Sequence, residues 1–196
     1  MSNVDAYRFT IENARLAFPK LWKAEPGPDG GKPNFSAAFI FPKDHPIIPK
    51  IKTAMVALAK EKWGQQAEVI YKGMAAGDKL ALQDGDKKAQ YEGYAGNLFI
   101  NARNASRPTV VDRNKVQLTE ADGKPYAGCY VNGLIELWAQ DNKWGKRINA
   151  TLRGVQFVRD GDAFSAGAPP ASEDEFGDLG DQGGATGAAT GGEAWD

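Results

Sequence analysis

Between Asn97 and Arg103 the side chains alternate in kind, with Leu98, Ile100 and Ala102 on one parity and Phe99, Asn101 and Arg103 on the other. In an extended strand the two sets face opposite ways. An aromatic ring, an amide and a guanidinium then share one face over an apolar underside. A ring offers a stacking surface to a planar base, and a guanidinium pairs with phosphate, so this triplet suits a nucleotide strand. The competing reading lays the helix over that face and makes Phe99 a core residue. Arg107 continues the cationic run in the following loop.

Two more clusters combine aromatic and basic residues. Lys143, Trp144, Lys146 and Arg147 surround the connector 141–146; beyond it Ile148, Ala150 and Leu152 point inward by parity, and Thr151 and Arg153 outward. Lys20, Trp22 and Lys23 sit in an earlier loop. An exposed Trp between cations has little structural purpose, although Trp144 could fold back on the barrel end. Tyr91 and Tyr94 could extend the same surface, and ordinary loop packing accounts for them equally well.

Catalytic chemistry finds few residues. The single histidine, His45, lies between Asp44 and Pro46 at a helix start, a place for capping rather than proton transfer. No phosphate loop, nucleophile elbow or His/Cys metal cluster is present, and no cofactor or metal is expected. Asp78, Asp84 and Asp86 form the one acidic cluster that could attract a divalent ion, but their spacing lacks the calcium-loop pattern and reads better as a polar turn. A lone Cys129 excludes an internal disulfide and fits a small core residue in a reducing compartment.

These residues need a scaffold, and its elements are legible in outline. Residues 7–18 read as a long strand with a register change near Asn13, ended by Pro19, and a Gly/Pro-rich loop leads to a second strand at 34–41. A helix follows, capped by Asp44, with Pro46 and Pro49 in its first turn and Ile48, Ile51, Met55 and Leu58 at helical spacing up to Trp63. Residues 65–96 are less regular, with Val69-Ile70-Tyr71 and Lys79-Leu80-Ala81-Leu82 pieces. Strands return at 97–104 and 109–112, and a hairpin has arms 129–140 and 147–159. One helix among five or more strands points to a mainly β, OB-fold-like five-stranded barrel.

Charge is partitioned along the chain. Residues 161–196 hold eight acidic side chains and no Lys or Arg, while residues 1–160 hold all 24 basic residues against 17 acidic ones. A body of about +7 beside a tail of −8 describes a polyanion binder tethered to its own competitor. The boundary is expected near residue 165, with a folded domain over 1–165 and a disordered acidic Gly-rich tail over 166–196. Phe176, Leu179, Trp195 and Asp196 are candidate docking points for a protein partner. No signal-like or membrane-length apolar run occurs, so a soluble protein of the cytoplasm is expected.

The stretch Tyr94-Ala95-Gly96-Asn97-Leu98-Phe99-Ile100-Asn101-Ala102, with Arg107-Pro108-Thr109-Val110-Val111-Asp112 after it, resembles the central signature of a phage single-stranded DNA-binding protein family once described only as a domain of unknown function. Phe41-Pro42-Lys43, Gly128-Cys129-Tyr130-Val131 and Gly154-Val155-Gln156 add to the resemblance, which spans residues 7–165. It implies an OB barrel that binds single-stranded DNA without strong sequence preference in replication, recombination or repair inside an infected bacterial host. It also implies an acidic C-terminal tail as in other replication-associated binders, so replication or recombination proteins are the partners expected at the docking points. The helix follows the second strand, whereas the standard OB barrel places it after the third. Rival readings are an RNA-binding or strand-annealing protein on the same barrel, a metal-dependent nuclease using Asp78, Asp84 and Asp86, and an adaptor working through its tail. A homodimer is a further option.

Overall fold

The computed structural model describes residues 6–26 and 30–164. The expected tail, with Phe176, Leu179, Trp195 and Asp196, lies outside the described residues. Strand β1 spans Arg8–Glu25, β2 Asn34–Pro42, helix α1 Ile48–Trp63, α2 Ala67–Ala76, β3 Leu82–Asp84, β4 Asn97–Asn104, β5 Thr109–Val111, β6 Tyr130–Asn142 and β7 Gly145–Arg159.

Antiparallel pairing joins β4 to β2, β2 to β1, β1 to β6 and β6 to β7, and a short parallel pairing of β4 with β7 closes the ring. This is the expected five-stranded barrel, with β3 and β5 attached at its margins. Inward parity supplies the core: Leu16, Phe39, Phe41, Ile100, Ile135, Leu137, Ile148 and Leu152 are all buried. Burying large aliphatic and aromatic chains of this kind contributes roughly 1.5–3 kcal/mol each. Helix α1 directs Ile48, Ile51, Met55 and Leu58 into the same core. Its amphipathic spacing leaves Lys50, Lys52, Lys60 and Lys62 exposed.

Several local expectations are corrected. Pro19 does not end β1, which continues to Glu25. The pairing passes from Ala17↔Ala38 to Lys20↔Ser36, so two residues, Phe18 and Pro19, oppose Ala37 alone. Proline fits such a bulge because its missing N–H withdraws no ladder bond there. The register change near Asn13 does occur: Asn13 takes a positive φ of 50°, and its amide donates to Asn132 Oδ1 at 3.0 Å.

Asp44 caps nothing. Helix α1 begins after Ile47, with Pro49 in its first turn, and Pro46 lies outside it. The segment holding Val69-Ile70-Tyr71 is a second helix, α2, because Ala67 and Met74 find cover one helical face apart. The hairpin connector is shorter than expected: Asn142 pairs with Gly145, leaving only Lys143 and Trp144 at the tip. Gly145, at φ 100°, occupies the left-handed conformation that lets the turn close.

Cys129 is buried, and burial pushes its thiol pKa up to about 11. No helix among the described residues is long and apolar enough to cross a membrane.

Candidate nucleic-acid interface

Register determines which outward residues stand side by side. One row crosses the entire barrel: Lys20 pairs with Ser36, Ser36 with Arg103, Arg103 with Thr151 and Thr151 with Glu136. The next begins with Ala17, Ala38 and Asn101 on β1, β2 and β4. Because Ala102 pairs with Ala150, Asn149 stands near Asn101, and Asn149 pairs in turn with Trp138. A third row runs from Arg15 through Ile40 and Phe99 to Gln83.

Where β4 and β7 diverge beyond their short pairing, the second row opens into a groove of about 430 Å³. Its walls include Asn101, Arg103, Trp138, Arg147, Asn149 and Lys79. The segment carrying Lys79 is tied to β7, since the Ile148 amide donates to the Lys79 carbonyl at 3.0 Å. The groove therefore combines an exposed indole, side-chain amides and cations. An aromatic platform among phosphate-pairing groups is suited to an extended nucleotide strand.

The cations differ in how they are engaged. Lys146 pairs with Asp141 at 2.7 Å, Arg153 with Glu136 at 3.2 Å and Lys20 with Glu25 at 2.8 Å. The Lys146 ammonium, followed by the Trp63 indole N–H that also donates to Asp141, holds the Asp141 carboxyl below the usual range. Among the described residues, Arg103 and Arg147 are exposed and have no carboxylate partner, which leaves both forks available for phosphate. Lys143 lies 5.1 Å from the Trp144 ring, and Arg107 lies 5.2 Å from the Trp22 ring.

The hairpin tip flanks the groove at one end. Arg147 lines it just beyond the tip, and the Lys79 ammonium lies 3.9 Å from where a Gly145 Cβ would sit. Trp144 is 76% exposed. At the other end of β4, Trp22 and Arg107 stack together beside exposed Lys23. Trp22 is half-buried against the core, so the ring it offers outward is already covered in part by Arg107.

Phe99 has the expected parity but not the expected exposure. Its ring is 1% exposed, packed edge-on against Tyr94 at 4.9 Å with Ile40, Ala38 and Ala17 around it. Cover comes from the 89–96 loop and from Phe164, not from a helix. Tyr94 is itself buried, and burial followed by the nearby Tyr91 pushes its pKa up to about 12. The pair is a floor rather than a stacking surface. Tyr91, above it, is 44% exposed.

Sequence reasoning missed Trp138, Lys79 and Asn149. Trp138 had a usable signal: Ile135 and Leu137 are inward, so Glu136 and Trp138 must face out. Lys79 and Asn149 had none, because their position depends on chain closure.

The other polar clusters are structural. The Ile47 amide donates to His45 Nδ1 at 3.2 Å, so Nε2 carries the proton and donates to the Glu12 carbonyl at 2.9 Å. Lys43 pairs with Asp84 and Asp86, and Lys87 pairs with Asp78. Lys43, first, and then the Gly96 amide hold Asp86 below the usual carboxylate range. Side-chain groups of three or more that could hold a metal are absent among the described residues.

The comparisons with known proteins agree with this geometry. The single-stranded DNA-binding protein from bacteriophage Enc34, in complex with ssDNA, is 31% identical with a TM-score of 0.72, covering 82% of this chain and 90% of that one. Protein p50 of Acyrthosiphon pisum secondary endosymbiont phage 1 is 45% identical over 175 residues, 88% of this chain and 94% of its own. The fold is also shared with gp2.5, a single-stranded DNA binding protein encoded by bacteriophage T7, at TM-score 0.52 and 14% identity over 92% of this chain and 98% of that one. The model of the Enterobacter phage Enc34 ssDNA-binding protein family matches residues 7–186, and the chain belongs to that family.

Proposed function

We propose that this chain binds single-stranded DNA without strong sequence preference, as a coating protein rather than an enzyme, in phage replication, recombination or repair in the cytoplasm of an infected bacterial cell. The observation that carries the reading is the groove between β4 and β7, where Arg103 and Arg147 stand without carboxylate partners among the described residues, beside Asn101 and the exposed Trp138. The relative solved with ssDNA supports it. The strand would run from the Trp144 tip through the groove to Arg107 and Trp22, with phosphates on the guanidinium groups and bases stacked on the indoles. Stacking is worth ~1–3 kcal/mol per base, and counterion release supplies the rest of the affinity. No cofactor enters this scheme.

The eight acidic residues after position 160 face a body of about +7, so the tail is proposed to compete with DNA for the groove. Tethering gives such a segment a high effective concentration, and salt screens it. Phe176, Trp195 and Asp196 are proposed to dock a replication or recombination protein. The test is a salt titration of oligo(dT) binding by the full chain and by a chain lacking residues 167–196. Salt-sensitive binding that tightens on truncation, most at low ionic strength, is the expected result. Failure of both proteins to bind would refute the DNA reading, and equal binding by both would refute the competitor role.

A further inference from the structure

We propose that Phe18 and Tyr91 form a second base-stacking site, set apart from the β4–β7 groove and created by the bulge in β1. The inference rests on the single-stranded DNA reading and adds a contact to it. Ala17 lies on an outward row, so by strand alternation the next residue, Phe18, would point toward the barrel interior as Leu16 does. Instead the bulge places it at φ 46° and turns it outward, where it is 56% exposed. A bulky aromatic in the left-handed region is a rare outlier, and such strain is retained where the surroundings hold it for a purpose. Bulges commonly re-aim one side chain beside a functional surface.

What Phe18 meets there is a built arrangement. Its ring lies edge-on to Tyr91 at 5.2 Å and tilted to Tyr94 at 6.3 Å, and Tyr94 rests on Phe99. The two exposed rings thus stand on two fully buried ones, which hold them with little freedom left to lose on binding. The ligand class follows from the charge nearby. The Lys88 ammonium lies 4.8 Å from the Phe99 ring centroid and has no carboxylate partner among the described residues; Lys20, two positions after Phe18, is paired with Glu25 at 2.8 Å and adds a weaker, partly neutralised charge. Rings beside cations fit a nucleobase and its phosphate better than an apolar peptide. Ala17, next to Phe18, shares a register row with Ala38 and Asn101, so this site and the groove lie along one line across the sheet.

The test compares full-length protein and Phe18→Gly on oligo(dT) and on an abasic oligonucleotide of equal length. Glycine removes the ring and suits the backbone, so the melting temperature should not fall. Affinity for oligo(dT) should drop about 5- to 140-fold, the stacking worth of one base at tenfold per ~1.4 kcal/mol, with an unchanged salt slope. Affinity for the abasic strand should not change. Tyr91→Ala should behave alike and Tyr91→Phe should retain binding. Unchanged oligo(dT) affinity in Phe18→Gly while the wild type binds well would overturn this inference alone. An equal loss on the abasic strand would overturn it too, since bases would not be what the ring contacts. Failure of the wild type to bind at all would remove the parent reading along with it.

Discussion

The salt dependence of binding should separate the groove guanidinium groups of Arg103 and Arg147 from the cations held in ion pairs. Each phosphate contact to a single strand contributes about 0.7 to the slope of log affinity against log salt. Arg103 and Arg147 line the groove without carboxylate partners among the described residues, so Arg103→Ala with Arg147→Ala should lower the slope by about 1.4. Over a fourfold rise in salt, from about 50 to 200 mM, that corresponds to about a sevenfold difference: the double variant should lose about seven times less affinity than the wild type. Lys146→Ala and Arg153→Ala should behave differently. Their cations are partly neutralised by Asp141 and Glu136 at 2.7 and 3.2 Å, so a phosphate must displace a carboxylate to gain the contact. The slope change for each should be clearly smaller than for Arg147→Ala. Fluorescence anisotropy of labelled oligo(dT) at five or more salt concentrations measures all of these. A double variant with the wild-type slope, or a Lys146→Ala slope as low as that of Arg147→Ala, would refute the assignment.

Other outcomes follow from burial. Trp144→Ala removes a ring that is 76% exposed, so affinity should fall by ~1–3 kcal/mol with the melting temperature and salt slope nearly unchanged; a large loss of stability would show that the tip is packed. Phe99→Ala empties a fully buried site and should cost ~3–5 kcal/mol of folding stability in a denaturant titration, and a fully stable variant with weakened binding would restore Phe99 as a contact. Tyr94 has its folded pKa raised to about 12, so its neutral form is favoured by folding: its contribution is intact below pH 10 and should be lost as pH rises toward 12. Tyr94→Phe should flatten that alkaline decline in urea midpoints, and an identical decline in both proteins would assign it elsewhere. Cys129, with a thiol pKa near 11, should resist alkylation at pH 8 in the folded protein and react once unfolded; rapid native labelling would contradict its burial.

Residues with strict alternation revealed their own faces. Leu98, Ile100 and Ala102 against Phe99, Asn101 and Arg103, and Ile148, Ala150 and Leu152 against Thr151 and Arg153, follow from the two-residue period of a strand, which any extended segment must obey. The partition of charge was equally legible, since it needs no coordinates. Exposure was not, because it depends on what arrives from elsewhere. Phe99 is covered by Tyr94 and by Phe164, 65 positions along the chain. Phe18 escapes the interior because a bulge breaks the alternation that would have buried it, and the adjacent Pro19 looked like a strand end until pairing with β2 carried the strand past it. The groove has no counterpart in any one segment. Arg103, Arg147, Trp138 and Lys79 come together because β4 and β7 pair in parallel to close the barrel, and a contact between distant strands is set by the shape of the closed sheet rather than by the residues on either strand alone.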